Sequence, residues 1–199
     1  MFITEPPASE EAERVYKSSS DLQGFTMNLT HAWCWRPDVF EGFAALRGQL
    51  TARSTLSKRE QAVMVCSVAA QLGDSYCCLA WGQILSREVG VDSAVSVISG
   101  KHDDSLTLRD RAVAAWARKV VTDPNSTTAA DLESLRAVGF TEREIFEATT
   151  LIAFRLAFST INDALGVPPD WQLVDAVHPA VRHAIDFGRR ADTRPTQPY

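Results

Sequence analysis

Four side chains in the run Asp74-Ser75-Tyr76-Cys77-Cys78-Leu79-Ala80-Trp81 have the types and spacing to do chemistry: Asp74, Cys77, Cys78 and Trp81. A cysteine thiolate is a nucleophile, and the free backbone amides in the first turn of a helix favour its charge. If Asp74 caps the helix that follows, Cys77 takes the third position and gains that help. The Asp74 carboxylate opposes it by repulsion, most strongly in a dry site. Positions 74, 77, 78 and 81 follow helical spacing and share one face, so Asp74, Cys77 and Trp81 are expected to line one pocket. Cys78 is no disulfide partner for Cys77, because adjacent helical residues point about 100° apart, and it is expected to be packed. Asp74 has two compatible roles, a helix cap and a carboxylate that binds substrate or moves protons.

The elements that hold these residues read as helices. Ser57-x-x-Glu60 is a capping box ahead of an apolar segment holding Ala62, Val63, Cys66, Val68, Ala69 and Leu72. Gly73 can take the left-handed conformation that closes this helix, and Asp74 then opens the next, from Ser75 to about Glu88. A tight joint between two helices thus falls on the reactive run. Thr107-x-x-Asp110, Thr128-x-x-Asp131 and Thr141-x-x-Glu144 are further capping boxes, each before an apolar periodic segment. Residues 146 to 165 read as a long, largely apolar helix forming the centre of the core or of a subunit interface. Residues 9 to 17 read as a short helix capped by Ser9 and ended by Ser18-Ser-Ser-Asp21. A helical stretch from His31 to Leu50 breaks at Arg36-Pro37. No strand pattern competes, and the expected class is all-α.

A chain of 199 residues fits one domain over 1 to 199. Residues 191 to 199, with two prolines and no periodicity, are expected to be a mobile tail. With 45% hydrophobic and 23% charged residues the composition is that of an ordinary globular protein. A net charge of −5, with basic residues scattered among acids, gives no basic face for nucleic acid. The run from Arg182 to Arg194 is broken by Asp186 and Asp192 and reads as a solvated face. No apolar run reaches membrane-spanning length and the first residues lack the pattern of a signal peptide, so no membrane partner and a cytoplasmic location are expected. Four cysteines, two of them adjacent, do not form a secreted disulfide framework; Cys34 and Cys66 read as small core residues. His178 and His183 are five apart, and there is no His-x-x-x-His or Cys-x-x-Cys pair, no glycine-rich phosphate loop and no Gly-x-Ser-x-Gly elbow. Neither metal nor cofactor is implied.

The reactive run and its frame resemble the AhpD-like family, the carboxymuconolactone decarboxylase superfamily, and within it the peroxidase-related branch. Redox-active members carry a Leu-Ser-x-Arg-Glu-x-Glu opening, then after eleven residues Cys-x-x-Cys, and after three more a His. Setting Leu56-Ser57-Lys58-Arg59-Glu60-Gln61-Ala62 on that opening puts the family Glu at Ala62, the first Cys at Asp74, the second at Cys77 and the His at Trp81. One of the four positions keeps its chemistry. The resemblance extends through Trp35-Arg-Pro-Asp-Val-Phe40, Leu106-Thr-Leu-Arg-Asp-Arg-Ala-Val, Asp123-Pro, Leu135-Arg-Ala-Val-Gly-Phe-Thr-Glu-Arg-Glu-Ile145 and Asp163-Ala-Leu-Gly-Val-Pro168, and covers roughly residues 20 to 175.

The resemblance implies an AhpD-like helical bundle assembled as a homo-oligomer, whether dimer, trimer or hexamer. In the family the second Cys of the motif meets the peroxide, so Cys77 inherits that place while its resolving partner has become Asp74. What remains is at most a one-Cys thiol peroxidase, with an external thiol reducing the sulfenic acid. The stretch around His31, Trp33 and Trp35 packs over the pocket in the family, which makes His31 the histidine placed to approach Cys77 and Trp33 a pocket residue. Glu60 is a poor stand-in for the absent Glu: two positions of offset rotate it about 200° around the helix, and it already serves as a cap. The alternative function is a non-redox enzyme or binding protein, resembling the decarboxylase branch, for a small, partly aromatic ligand in the Asp74/Trp81 pocket.

Overall fold

The four expected capping boxes set the frame. Ser57, Thr107, Thr128 and Thr141 each exchange hydrogen bonds with the acid three residues on, opening α4 (Lys58–Leu72), α7 (Leu108–Thr122), α8 (Ala129–Ala137) and α9 (Glu142–Ala164). The computed structural model describes residues 1 to 194, and among them every regular element is helical. The remaining helices are α1 (Glu10–Gln23), α2 (Asn28–Trp33), α3 (Pro37–Ala52), α5 (Ser75–Val89), α6 (Val91–Ser99), α10 (Trp171–Ala176) and α11 (Pro179–Ala184), with a single 3₁₀ turn at Pro124–Ser126. Pro37 starts α3 at its first position, where the missing N–H costs nothing.

α4 is the axis of the bundle. Ala62, Val63, Met64, Val65 and Cys66 are fully enclosed, so the helix is apolar on all sides and packs against α5, α7 and α9. α9 supplies the opposite wall through Ile145, Ala148, Leu151, Ile152 and Phe158, yet it is not wholly internal, since Phe146 is 70% exposed. A second apolar cluster joins Leu29, Trp33, Tyr76, Cys77, Phe158 and Val167 on the face turned toward α2 and α3. α3 itself buries no residue completely.

Gly73 ends α4 with φ 72°, and α5 begins two residues later. α10 and α11 pack on the outside of α5, where Gly82 admits Val177 and Val181: a Cβ there would stand 3.3 Å from Val181 Cγ1. Past α11 the chain runs back across the α4–α5 joint, and the Ser75 hydroxyl donates to the Arg189 carbonyl at 2.7 Å.

One sequence expectation needs correction. α1 does not end at Ser18-Ser-Ser-Asp21; it runs to Gln23 and is closed by Gly24 in the left-handed conformation. Lys17 pairs with Asp21 one turn on, and the Ser19 hydroxyl accepts from the Met27 amide, so side-chain bonds within the helix and to the segment after it carry it through a serine run of poor propensity. The first residues of the stretch from 191 to 199 make contacts with α2 and α10. Asp192 accepts from the Trp171 amide at 2.6 Å and from Asn28 Nδ2 at 3.0 Å, and Arg194 lies over the Trp171 ring. The rest of that stretch, 195 to 199, lies outside the described residues.

Candidate functional site

The joint between α4 and α5 fixes the cysteine. Asp74 Oδ1 accepts the Cys77 amide at 2.9 Å, so the carboxylate is the helix cap, as its position ahead of α5 requires. Asp74 is completely buried, and its Oδ2 has no hydrogen-bond partner among the described residues. It lies behind the helix start rather than on a cavity wall.

The cavity beside Cys77 has a volume of about 530 Å³. α5 contributes Tyr76, Cys77, Ala80, Trp81 and Ile84, and α9 contributes Arg155 and Phe158. The opposite side is closed by Val15, Ser18, Ser19 and Leu22 of α1 and by Phe40, Ala44 and Arg47 of α3. Of the expected pocket residues, Cys77 and Trp81 meet here. Asp74, Cys78, Trp33 and His31 do not line the cavity, and each departure has a cause. Cys78, turned away along the helix, points its thiol at the Cys66 carbonyl at 3.9 Å. Trp33 forms a layer behind the wall: its indole donates to Asn162 Oδ1 at 2.8 Å and stacks on Phe158 at 5.4 Å between ring centroids. His31 sits on the outer side of α2, bonded to Glu5 at 3.0 Å and against the Tyr16 ring. Glu60 remains in its cap and pairs with Arg109.

Cys77 is 3% exposed, and the Ser159 hydroxyl donates to its sulfur at 3.7 Å. Burial pushes its thiol well above the usual cysteine range, and the neighbouring Asp74 carboxylate pushes it further; Arg155 and the Ser159 hydroxyl pull the other way. Asp74 opposes the thiolate, as expected from the sequence, while the opposing pull comes from Arg155 and Ser159, and the neutral thiol is favoured. Burial also raises Cys66, to about 12, and raises Cys78 and Cys34. All four cysteines are free, and Cys77 is the one on the cavity wall.

Three residues of this site were not singled out in the sequence: Arg155, Ser159 and Asn162. They occupy i, i+4 and i+7 of α9, one face of the helix, and all three are buried. Their signal was available as a polar stripe in an otherwise apolar helix. Arg155 packs against the Trp81 ring at 4.9 Å, and Lys58 lies over the same ring at 4.8 Å. Tyr76 Oη donates to Asp170, whose other oxygen accepts the Asn28 amide at 2.8 Å, tying α5 to the segment ahead of α10. Among the described residues no cluster of three His, Cys, Asp or Glu could hold a metal.

The fold is AhpD-like, the all-α class implied by the resemblance of the reactive run. The structure is similar to a peroxidase-related protein of the alkylhydroperoxidase AhpD core from Ralstonia eutropha JMP134, with a TM-score of 0.75, 25% identity, and coverage of 86% of this chain and 93% of that one. A peroxidase-related protein from Silicibacter sp. TM1040 gives a TM-score of 0.75 at 20% identity, over 86% and 91% of the two chains. The debrominase Bmp8, as a cysteine-to-alanine variant in complex with 2,3,4-tribromopyrrole, gives 0.69 at 19% identity, over 92% and 96%. No protein-family model matches the sequence, and no curated protein matches it significantly. No helix among the described residues is long and apolar enough to cross a membrane.

Proposed function

We propose that this chain is an alkylhydroperoxidase-related oxidoreductase with one-Cys thiol peroxidase chemistry at Cys77, acting on a small organic hydroperoxide. The observation that carries the reading is the position of Cys77: of the four cysteines it alone lines the cavity, with the Ser159 hydroxyl on its sulfur and Arg155 one turn away along α9. In the reaction the Cys77 sulfur attacks the terminal peroxide oxygen, the O–O bond breaks, the alcohol leaves with the thiol proton, and the cysteine becomes a sulfenic acid. One external thiol then forms a mixed disulfide with release of water, and a second restores Cys77 as the external disulfide forms. Arg155 is placed to stabilise both the thiolate and the departing oxyanion. Cys78 takes no part, because its sulfur faces the α4 backbone. An antioxidant role, a cytoplasmic location and a homo-oligomer belong to the same reading.

A second reading has its own support. Burial and Asp74 hold the thiol neutral, and the cavity is walled by Trp81, Phe158, Phe40 and Tyr76, which suits a non-redox enzyme or binding protein for a small, partly aromatic molecule. The debrominase neighbour is in complex with a small aromatic molecule, 2,3,4-tribromopyrrole. Single-turnover consumption of cumene hydroperoxide by the reduced protein separates the two. The first reading expects consumption in wild type and Cys78→Ser and none in Cys77→Ser. Equal background rates in wild type and Cys77→Ser would leave the second.

A further inference from the structure

We infer that the cavity recognises an anionic group on its ligand through Arg155 and Arg47, and that the ligand is a small organic carboxylate with an aromatic or apolar body. The inference rests on the reading of this cavity as the ligand site, and it names the chemistry that site selects.

The argument starts from charge. The chain is net acidic, at −5, yet its cavity is walled by Arg14, Arg47, Lys58 and Arg155 against a single carboxylate, Glu41, which already faces Arg14 at 3.8 Å. Arg155 is 6% exposed and packs on Trp81, and its Nε–H is buried without a hydrogen-bond partner. Neither Arg155 nor Arg47 takes part in an ion pair among the described residues. Removing a guanidinium from water is costly when nothing replaces the lost hydration; Arg59 holds Asp110, Arg109 holds Glu60 and Glu144, and Arg118 and Arg189 donate to the backbone carbonyls of Val97 and Asp163, whereas the Arg155 Nε–H has no partner.

The two guanidiniums reach the cavity from different elements. Arg155 comes from α9, on the Cys77 side, and Arg47 from α3, lying 5.9 Å from the Phe158 ring. A planar carboxylate matches the forked donors of arginine, while Phe158, Trp81, Phe40 and Ile84 offer an apolar surface for the rest of the molecule. Arg155 has a competing use, stabilising the Cys77 thiolate, and the test must separate the two.

The experiment is calorimetric titration of the full-length Cys77→Ser protein, in which no thiolate competes and no redox step occurs, with 3-phenylpropionate and with its neutral amide. The carboxylate is expected to bind at least about tenfold more tightly than the amide, the return of a charge-assisted hydrogen bond. Arg155→Gln and Arg47→Gln in the same background should each lower carboxylate affinity by about that factor and leave the amide unchanged. Equal affinity for acid and amide, no binding of either, or an unaltered preference in both arginine variants overturns the proposal. Should Arg155→Gln fail to fold, Arg47→Gln on the less buried α3 decides alone. Peroxide consumption by wild type bears only on Cys77: carboxylate binding without it retains the anion site and removes the peroxidase reading, and the converse result does the opposite.

Discussion

Replacing Asp74 with Asn isolates the charge that works against Cys77. The asparagine keeps an oxygen to accept the Cys77 amide, which Asp74 Oδ1 now does at 2.9 Å, and Asn and Asp are equivalent caps. What disappears is a negative charge in the same helical turn as the sulfur, completely buried and with Oδ2 unpartnered. Two unit charges about 5 Å apart at an effective dielectric of about 20 interact by about 3 kcal/mol, or about 2 pH units. Relaxation of the site reduces this, so the Cys77 thiol is expected to fall by at least about one pH unit, a change of about tenfold in thiolate below its pKa. The assay is the rate of Cys77 carbamidomethylation by iodoacetamide as a function of pH, with Cys77→Ser giving the background from Cys34, Cys66 and Cys78. Asp74→Asn should react about tenfold faster than wild type at pH 8, with unchanged helix content. Equal or slower alkylation in a folded variant would refute the electrostatic account of this site.

Three further outcomes follow from the structure. Gly188→Ala should lower the melting temperature by several degrees, because φ is 73° there and a Cβ would meet the Gly73 carbonyl and the Ser75 hydroxyl; an unchanged melting curve would mean the segment does not rest on the joint as described. Asp163→Asn should stabilise the protein at neutral pH. Burial, then the nearby Asp74, raises the Asp163 carboxyl from 3.8 to about 6, so the folded state holds a proton that the unfolded chain has released, and stability falls as pH rises through that window. The gain in melting temperature should be present at pH 7.5 and vanish near pH 3.5; a gain independent of pH contradicts the assignment. Glu60→Gln should destabilise the protein by about 1 kcal/mol through loss of the charge pair with Arg109, the glutamine oxygen keeping the capping box, yet leave the iodoacetamide rate at Cys77 unchanged. A matching fall in that rate would return Glu60 to the site.

The parts of this molecule that were legible in the sequence are those set by neighbours along the chain. Ser57 with Glu60 and Thr141 with Glu144 are three residues apart and fix helix starts wherever the helices pack, and Gly73-Asp74 writes a helix end and a helix start into adjacent residues. Cys77 and Trp81 stand one turn apart and were read together, as the cavity has them. Asp74 was also grouped with them by periodicity, but a cap residue bends its side chain back over its own helix terminus, so its spacing says little about the face it serves. His31 lies away from the cavity, against Tyr16 and Glu5, because the direction of α2 depends on how α1 and the N-terminal residues pack. Arg47 and Arg155 are 108 positions apart and meet across a cavity that exists only once α3 has folded over α9, which no local pattern reports. Ser159 and Asn162 were in reach of periodicity alone, as polar positions on one face of a buried helix.

The measurement that tests the central claim most directly is mass spectrometry of the reduced protein after one equivalent of cumene hydroperoxide in the presence of dimedone, which traps sulfenic acid. The account predicts a single dimedone adduct at Cys77, with Cys34, Cys66 and Cys78 unmodified. An unmodified Cys77, or an adduct at Cys78 in its place, would contradict it.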